Sequence, residues 1–215
     1  MKIVEQLSLI EIESNTTYKC CAFYLEEDKW YDIENSRFFN CSFRSDIQFE
    51  RITNCSFSNC TFSKECFVDL SHNSLWKIPD SLFSIVGMTS LKLKLCCSDG
   101  INSSVQELRN IKNLENLEYL DLSNCSMGYL PLEITQLENL QNLDLKLNRI
   151  FEIPYEICEL KNLFRLNLSY NQLRTLPCEI GKLKSLSYLN LRTNRIDKEE
   201  KILIKSWLPD CDISF

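Results

Sequence analysis

The residues from which this chain could build chemistry are one histidine, His72, and twelve cysteines. A histidine beside a cysteine is how a base activates a thiolate nucleophile. His72, however, sits in the polar stretch "LSHNSL", where a lone histidine is ordinarily a solvated turn residue. The chain has no G-x-S-x-G elbow, no phosphate-cradling P-loop and no H-E-x-x-H pair on a helix. Metal binding by cysteines wants a C-x-x-C spacing, yet Cys20–Cys21 and Cys96–Cys97 are adjacent pairs and no C-x-x-C occurs. A secreted disulfide framework wants a signal peptide. The N-terminus "MKIVEQLSLIEIESN" carries Glu5 and Glu11 inside its apolar part, which breaks such a segment. The sequence therefore predicts reduced thiols in the cytoplasm, no catalytic residue, no metal site and no cofactor. Export without a cleaved signal stays as the alternative. Sequons such as those at Asn15 and Asn102 read as accidents of a Ser- and Asn-rich chain.

The elements that carry these cysteines repeat. "LNLSYNQLRTLPCEIGKLKSL" (Leu166–Leu186) aligns with "LDLKLNRIFEIPYEICELKNL" (Leu143–Leu163) and with "LDLSNCSMGYLPLEITQLENL" (Leu120–Leu140). Asn148, Asn171 and Asn194 recur every 23 residues, as do Pro131, Pro154 and Pro177. A fixed period of this length is the mark of a solenoid. L-x-L is a short strand with its leucines inward. The asparagine satisfies backbone groups at the sharp turn that follows. Proline opens the convex side, where no ladder N–H is needed. I-x-x-L-x-x-L is then a helical or near-helical return whose apolar face only a neighbouring coil can bury.

This template resembles the leucine-rich repeat, in the 23-residue bacterial and intracellular style. Six coils start near Glu65, Met88, Leu117, Leu140, Leu163 and Leu186. The first is divergent but keeps Asn73 and Pro79. The second is longer by six residues, and its "SSVQELRNIKNL" predicts a convex helix capped by Ser104 and Glu107, with Val105, Leu108 and Ile111 on one face. Cys96 and Cys125 take the ladder position in coils two and three. The resemblance implies an α/β solenoid over 65–196, with a parallel sheet on its concave face. A C-terminal cap over 197–215 is expected to close it at Phe215. There Asp197 starts a helix, Ile202, Leu203 and Trp207 form its apolar face, and Pro209 ends it.

Residues 1–64 read as a lead-in and β-rich cap. From Ile33 to Phe67 large apolar residues recur every five positions with one slip: Ile33, Phe38, Phe43, then Ile47, Ile52, Phe57, Phe62 and Phe67. Small residues precede several of them by two, among them Ser36, Cys41, Cys55 and Cys60. That beat resembles the pentapeptide-repeat β-helix. A short irregular β cap with Phe39, Cys41 and Phe43 alternating is the other reading. "MKIVEQLSLIEI" is expected to be a helix before an irregular lead-in.

A net charge of −6 with no Lys/Arg-rich run argues against nucleic acid, and no apolar stretch reaches the length of a membrane span. Only 4 Gly and 5 Pro in 215 residues leave little linker. The expectation is a monomeric, noncatalytic protein-binding module, with a secreted bacterial effector of the same fold as the alternative. In the resembled family the partner binds the concave face. Residues flanking the strand leucines would line it: Lys92, Lys94, Tyr119, Asp121, Asp144, Lys146, Arg165, Tyr170, Tyr188 and Arg192. Tyr and Arg are enriched where binding energy concentrates.

Overall fold

The L-x-L tripeptides stack in register, one coil above the next, in the computed structural model. The structure describes residues 2–9, 11–25, 30–44, 47–53, 55–58, 60–62, 66–69, 83, 88–93 and 107–215. In the repeats the strands are β12 (Met88–Lys92), β13 (Tyr119–Asp121), β14 (Asn142–Asp144), β15 (Arg165–Asn167) and β16 (Tyr188–Asn190). All pair parallel, with Leu91, Leu120, Leu143, Leu166 and Leu189 in one buried row. The convex side returns in 3-10 turns, Leu132–Gln136, Tyr155–Glu159 and Cys178–Lys182, each entered from an extended proline. The spacing of their apolar residues explains the choice. Ile134, Leu137 and Leu140 lie three apart, which is the 3-10 period, and all three are fully buried. Coil two follows the same rule. Leu108, Ile111, Leu114 and Leu117 are buried three apart, and the expected convex helix is a 3-10 segment, Glu107–Asn113. Ser104 and Val105 lie outside the described residues.

The turns after β14, β15 and β16 are held by asparagine. Asn148 Oδ1 accepts from the N–H groups of Cys125 and Met127, both at 3.0 Å, and its Nδ2 donates to Leu122 O at 2.9 Å and Leu145 O at 3.0 Å. Asn171 and Asn194 repeat the arrangement one and two coils on. Cys125 continues it with a thiol that donates to Leu93 O at 3.2 Å. A second ladder runs beside it. Asn139 donates to Glu115 O and Asn162 to Glu138 O, both at 2.9 Å, on the rising side of the coils.

The N-terminal third is also a parallel helix of strands. These are β1 (Lys2–Glu5), β2 (Ser8–Leu9), β3 (Thr16–Lys19), β4 (Ala22–Phe23), β5 (Trp30–Glu34), β6 (Arg37–Phe39), β7 (Ser42–Phe43), β8 (Ile47–Thr53), β9 (Ser56–Ser58), β10 (Thr61–Phe62) and β11 (Cys66–Asp69). They form two four-stranded sheets, ordered β1-β3-β6-β9 and β10-β7-β4-β2. The third face, β5-β8-β11, runs on into the repeat sheet, so one sheet of nine strands passes through both regions.

Residues 2–9 are thus strands, and the helix expected there is corrected. Val4 and Leu9 lie five apart and pack on the core, while Ile3 and Leu7 are exposed. Val4 pairs with Tyr18 and Tyr18 with Phe38; Leu9 pairs with Phe23 and Phe23 with Phe43. Two inward columns result. Tyr18 stacks on Phe38 with centroids 5.0 Å apart, and Phe23 on Phe43 at 4.8 Å. Small residues fill the inward slots two positions earlier: Thr16, Cys21, Ser36, Cys41 and Cys55 are all buried. The corners use the left-handed region at Asn15, Cys20, Asn35 and Asn40, where asparagine is tolerated better than most residues.

At the other end, α1 (Lys198–Trp207) starts at Asp197, whose Oδ1 accepts from Glu200 N–H at 2.8 Å. Its buried residue is Ile204, followed by Leu208, whereas Ile202 and Leu203 are 68% and 48% exposed. The expected apolar face is corrected at Ile202 and Leu203, while Trp207 packs against the core as expected. Two residues from Ile204 is roughly 200° around a helix, so Ile202 must point away. Strand β17 (Asp212–Ser214) pairs with β16 and covers that edge of the sheet. Helix α1 docks where coil five has Gly181; coils three and four have Thr135 and Cys158 there. A Cβ at Gly181 would stand 3.0 Å from Trp207 O and 3.3 Å from Trp207 Cβ. Gly181→Ala should therefore loosen the cap and cost about 1–3 kcal/mol, read as a lowered midpoint in thermal unfolding followed by circular dichroism.

Candidate concave binding face

Strand alternation turns every other side chain of the repeat sheet away from the core. Register then aligns these residues across coils, roughly 4.8 Å apart. One column runs Ser90, Tyr119, Asn142, Arg165, Tyr188, Asp212, and the next Lys92, Asp121, Asp144, Asn167, Asn190, Ser214. The structure thus brings Arg165 and Tyr188 side by side and sets Tyr119 in the same column, beyond Asn142. Lys92, Asp121 and Asp144 follow one another in the second column. Lys94 lies outside the described residues, as does His72.

The two aspartates are partly committed to the scaffold. Asp121 Oδ1 accepts from Ser123 N–H at 2.8 Å, and Asp144 Oδ1 from Lys146 N–H at 2.8 Å. Asp144 Oδ2 also accepts from Asn167 Nδ2 at 3.1 Å. Burial, reinforced by the neighbouring Asp121 charge, holds the Asp144 carboxyl above its ordinary range even though these bonds oppose it.

The cations are set against rings. Arg165 Cζ lies 5.8 Å from the ring centres of both Phe164 and Tyr188, and Lys146 Nζ lies 5.6 Å from that of Tyr170. Such contacts hold long side chains in place and leave the guanidinium edge open to a ligand. Arg192 is exposed one coil further, its N–H bound to Asn190 Oδ1 at 3.1 Å. Beyond the strands, Asn124, Leu147, Tyr170 and Thr193 occupy one aligned position in the left-handed region, each at φ 57°. Asparagine suits that conformation, while leucine, tyrosine and above all β-branched threonine are strained in it. Leu147 and Tyr170 are 44% and 48% exposed at this cost.

Phe164 was missed from the sequence because it precedes the strand. Its signal was there: the aligned residues are Glu118, Gln141 and Ser187, all polar. A second exposed apolar group, Tyr129, Leu132, Phe151 and Tyr155, lies where the chain descends to the convex side and around its 3-10 turns. An open polar groove of about 1190 Å³ also runs along the convex side, between Lys112, Glu138, Glu156 and Lys161. Among the described residues, no group of three or more His, Cys, Asp or Glu side chains could hold a metal ion. None of the described helices is long and apolar enough to cross a membrane.

Comparison with known proteins bears on this geometry. The family described as the leucine-rich repeat region matches residues 71–205, more than half of the chain. The structure is similar to a leucine-rich repeat protein of Leptospira interrogans, at 26% identity and a TM-score of 0.63, over 93% of this chain and 54% of that one. It is similar in fold to internalin C2 of Listeria monocytogenes, at 21% identity and a TM-score of 0.50, over 72% of this chain and 60% of that one. The chain thus spans less than two thirds of the length of either. No curated protein sequence matches it.

Proposed function

Because this chain belongs to the leucine-rich repeat family, we propose that it binds a protein partner on the concave face of its sheet and catalyses no reaction there. The observation that carries this reading is Arg165 held between Phe164 and Tyr188, with Lys146 over Tyr170 just beyond the neighbouring column. Clustered aromatic and arginine side chains on a rigid sheet are what binding hot spots are made of. Tyr119 and Lys92 would extend the contact toward the N-terminal coils, and Arg192 toward the cap. Asp121 and Asp144 supply negative charge between them. The partner is a protein rather than a nucleic acid, given the net charge of −6.

The test compares the wild-type chain with Tyr119→Ala/Arg165→Ala/Tyr188→Ala as baits in a lysate of the source cells. All three side chains point off the sheet, so the far-ultraviolet circular dichroism should be unchanged. The triple variant should bind the captured partner at least about 1,000-fold more weakly or lose it, since hot-spot truncations typically cost about 2 kcal/mol or more each. A partner retained equally by both baits would move the site off the concave face.

A further inference from the structure

The N-terminal coils contain a stack of thiols. Ala22 pairs with Ser42, and Ser42 with Thr61, in parallel register. The residues just before them, Cys21, Cys41 and Cys60, therefore follow one another up the coil. Neighbouring parallel strands lie about 4.8 Å apart, inside the Cα separation of roughly 4.4–6.8 Å that a disulfide requires. Cys21 and Cys41 are buried and Cys60 is half-buried. The thiols also face nearby carbonyls: Cys21 Sγ is 3.4 Å from Lys19 O, Cys41 Sγ 3.4 Å from Phe39 O, and Cys60 Sγ 3.5 Å from Phe38 O.

Space alone does not ask for sulfur in these slots. The sister column, one face earlier in the coil, is Thr16, Ser36 and Cys55. It is tied together by Thr16 N–H to Ser36 Oγ at 3.4 Å and Ser36 N–H to Cys55 Sγ at 3.4 Å. In the cysteine column the sulfurs meet. Hydrogen bonding from the Cys60 thiol, the largest influence, pulls the Cys41 thiol down to about 7; burial opposes it, and Cys21 and the Phe39 backbone add to the lowering. Burial pushes Cys21 the other way. The lowering belongs to the Cys41–Cys60 pair, whose more accessible member is Cys60.

We propose that Cys41 and Cys60 form a redox modification site, at which a low-molecular-weight disulfide such as oxidised glutathione converts the pair to an intramolecular disulfide linking two neighbouring coils. Half-buried Cys60 reacts first. With one proton lost from the pair, Cys60 attacks as the thiolate one sulfur of the small disulfide, forms a mixed disulfide and releases one small thiolate, which takes up the proton left on Cys41. The Cys41 thiolate then attacks the Cys60 sulfur, forms the Cys41–Cys60 bond and expels the second small thiolate. Two protein thiols lose two electrons and two protons, and the small disulfide is reduced to two thiols. The bond would fix the register of β7 against β10.

The test treats the reduced full chain with oxidised glutathione, quenches with an alkylating reagent and maps the peptides by mass spectrometry without reduction. Alkylation of Cys41 and Cys60 should fall together, by about tenfold or more, with a cross-linked peptide joining them. Cys41→Ser should leave glutathione on Cys60, Cys60→Ser should leave Cys41 alkylatable, and Cys21→Ser should change neither. The wild-type map decides the matter even if a variant misfolds. The proposal is overturned if wild-type Cys60 stays glutathionylated without joining Cys41, or if Cys41 joins Cys21. It also fails if both residues remain fully alkylatable once exposed Cys20 and Cys178 have reacted.

Discussion

Asn148→Ala should destabilise the protein by about 3–5 kcal/mol. The carboxamide serves four backbone groups of two coils, the N–H groups of Cys125 and Met127 and the carbonyls of Leu122 and Leu145. It is only 7% exposed, so water does not readily replace it. Each buried group left unsatisfied costs roughly 1–3 kcal/mol, offset in part by relaxation of the turn. The measurement is urea unfolding followed by circular dichroism under reducing conditions. Cys125→Ala is the internal comparison. That thiol is a weaker hydrogen-bonding group than an amide, and its loss should cost about 1 kcal/mol. If Asn148→Ala cost no more than Cys125→Ala, the turn would not depend on the ladder.

The same ladder shows why the repeats could be read from the sequence. Asn148, Asn171 and Asn194 must each occupy one place in the coil, because only there can a side chain reach two turns at once. Pro131, Pro154 and Pro177 fix the entry to the convex side in the same way. Geometry that strict leaves a strict period. The column of Tyr119, Arg165 and Tyr188 follows from that period alone. The contact of Arg165 with Phe164 does not, since it depends on a rotamer. The face of α1 is not legible in the sequence, because Ile202, Leu203 and Ile204 are consecutive apolar residues. The docking surface beside Gly181, not the helix itself, decides which of them is buried. Residues 2–25 were opaque for another reason. Inward residues Val4, Leu9, Tyr18, Phe23 and Ile33 are separated by 5, 9, 5 and 10 positions, so the five-residue beat is interrupted at the corners where coil length varies. The Cys21, Cys41 and Cys60 stack was hidden likewise: the small slots could be seen, but which of them adjoin depends on coil length.

Phe38→Ala tests that N-terminal packing directly. Phe38 is fully buried, stacked on Tyr18, with Phe23 and Phe43 edge-on or tilted at 5.8 and 5.6 Å. Removing a buried phenylalanine costs about 3–5 kcal/mol, and the lost ring contacts put this site toward the upper end. In a solenoid each coil touches only its neighbours, so the loss should stay local. Hydrogen exchange read by mass spectrometry should show faster exchange in the peptides of β3, β4, β6 and β7. The peptides of β14, β15 and β16, which lie several coils away from Phe38, should keep wild-type protection. The sheet of nine strands offers the opposite outcome. It carries β5 and β8 straight into β11 and β12, and if that continuity makes one cooperative unit, protection will fall along the whole chain. Local loss would mean that the aromatic columns and the leucine core are separately stable bodies sharing one sheet. Global loss would mean that the concave face owes part of its rigidity to the coils that precede it, and that Phe38→Ala should weaken partner binding without touching the partner.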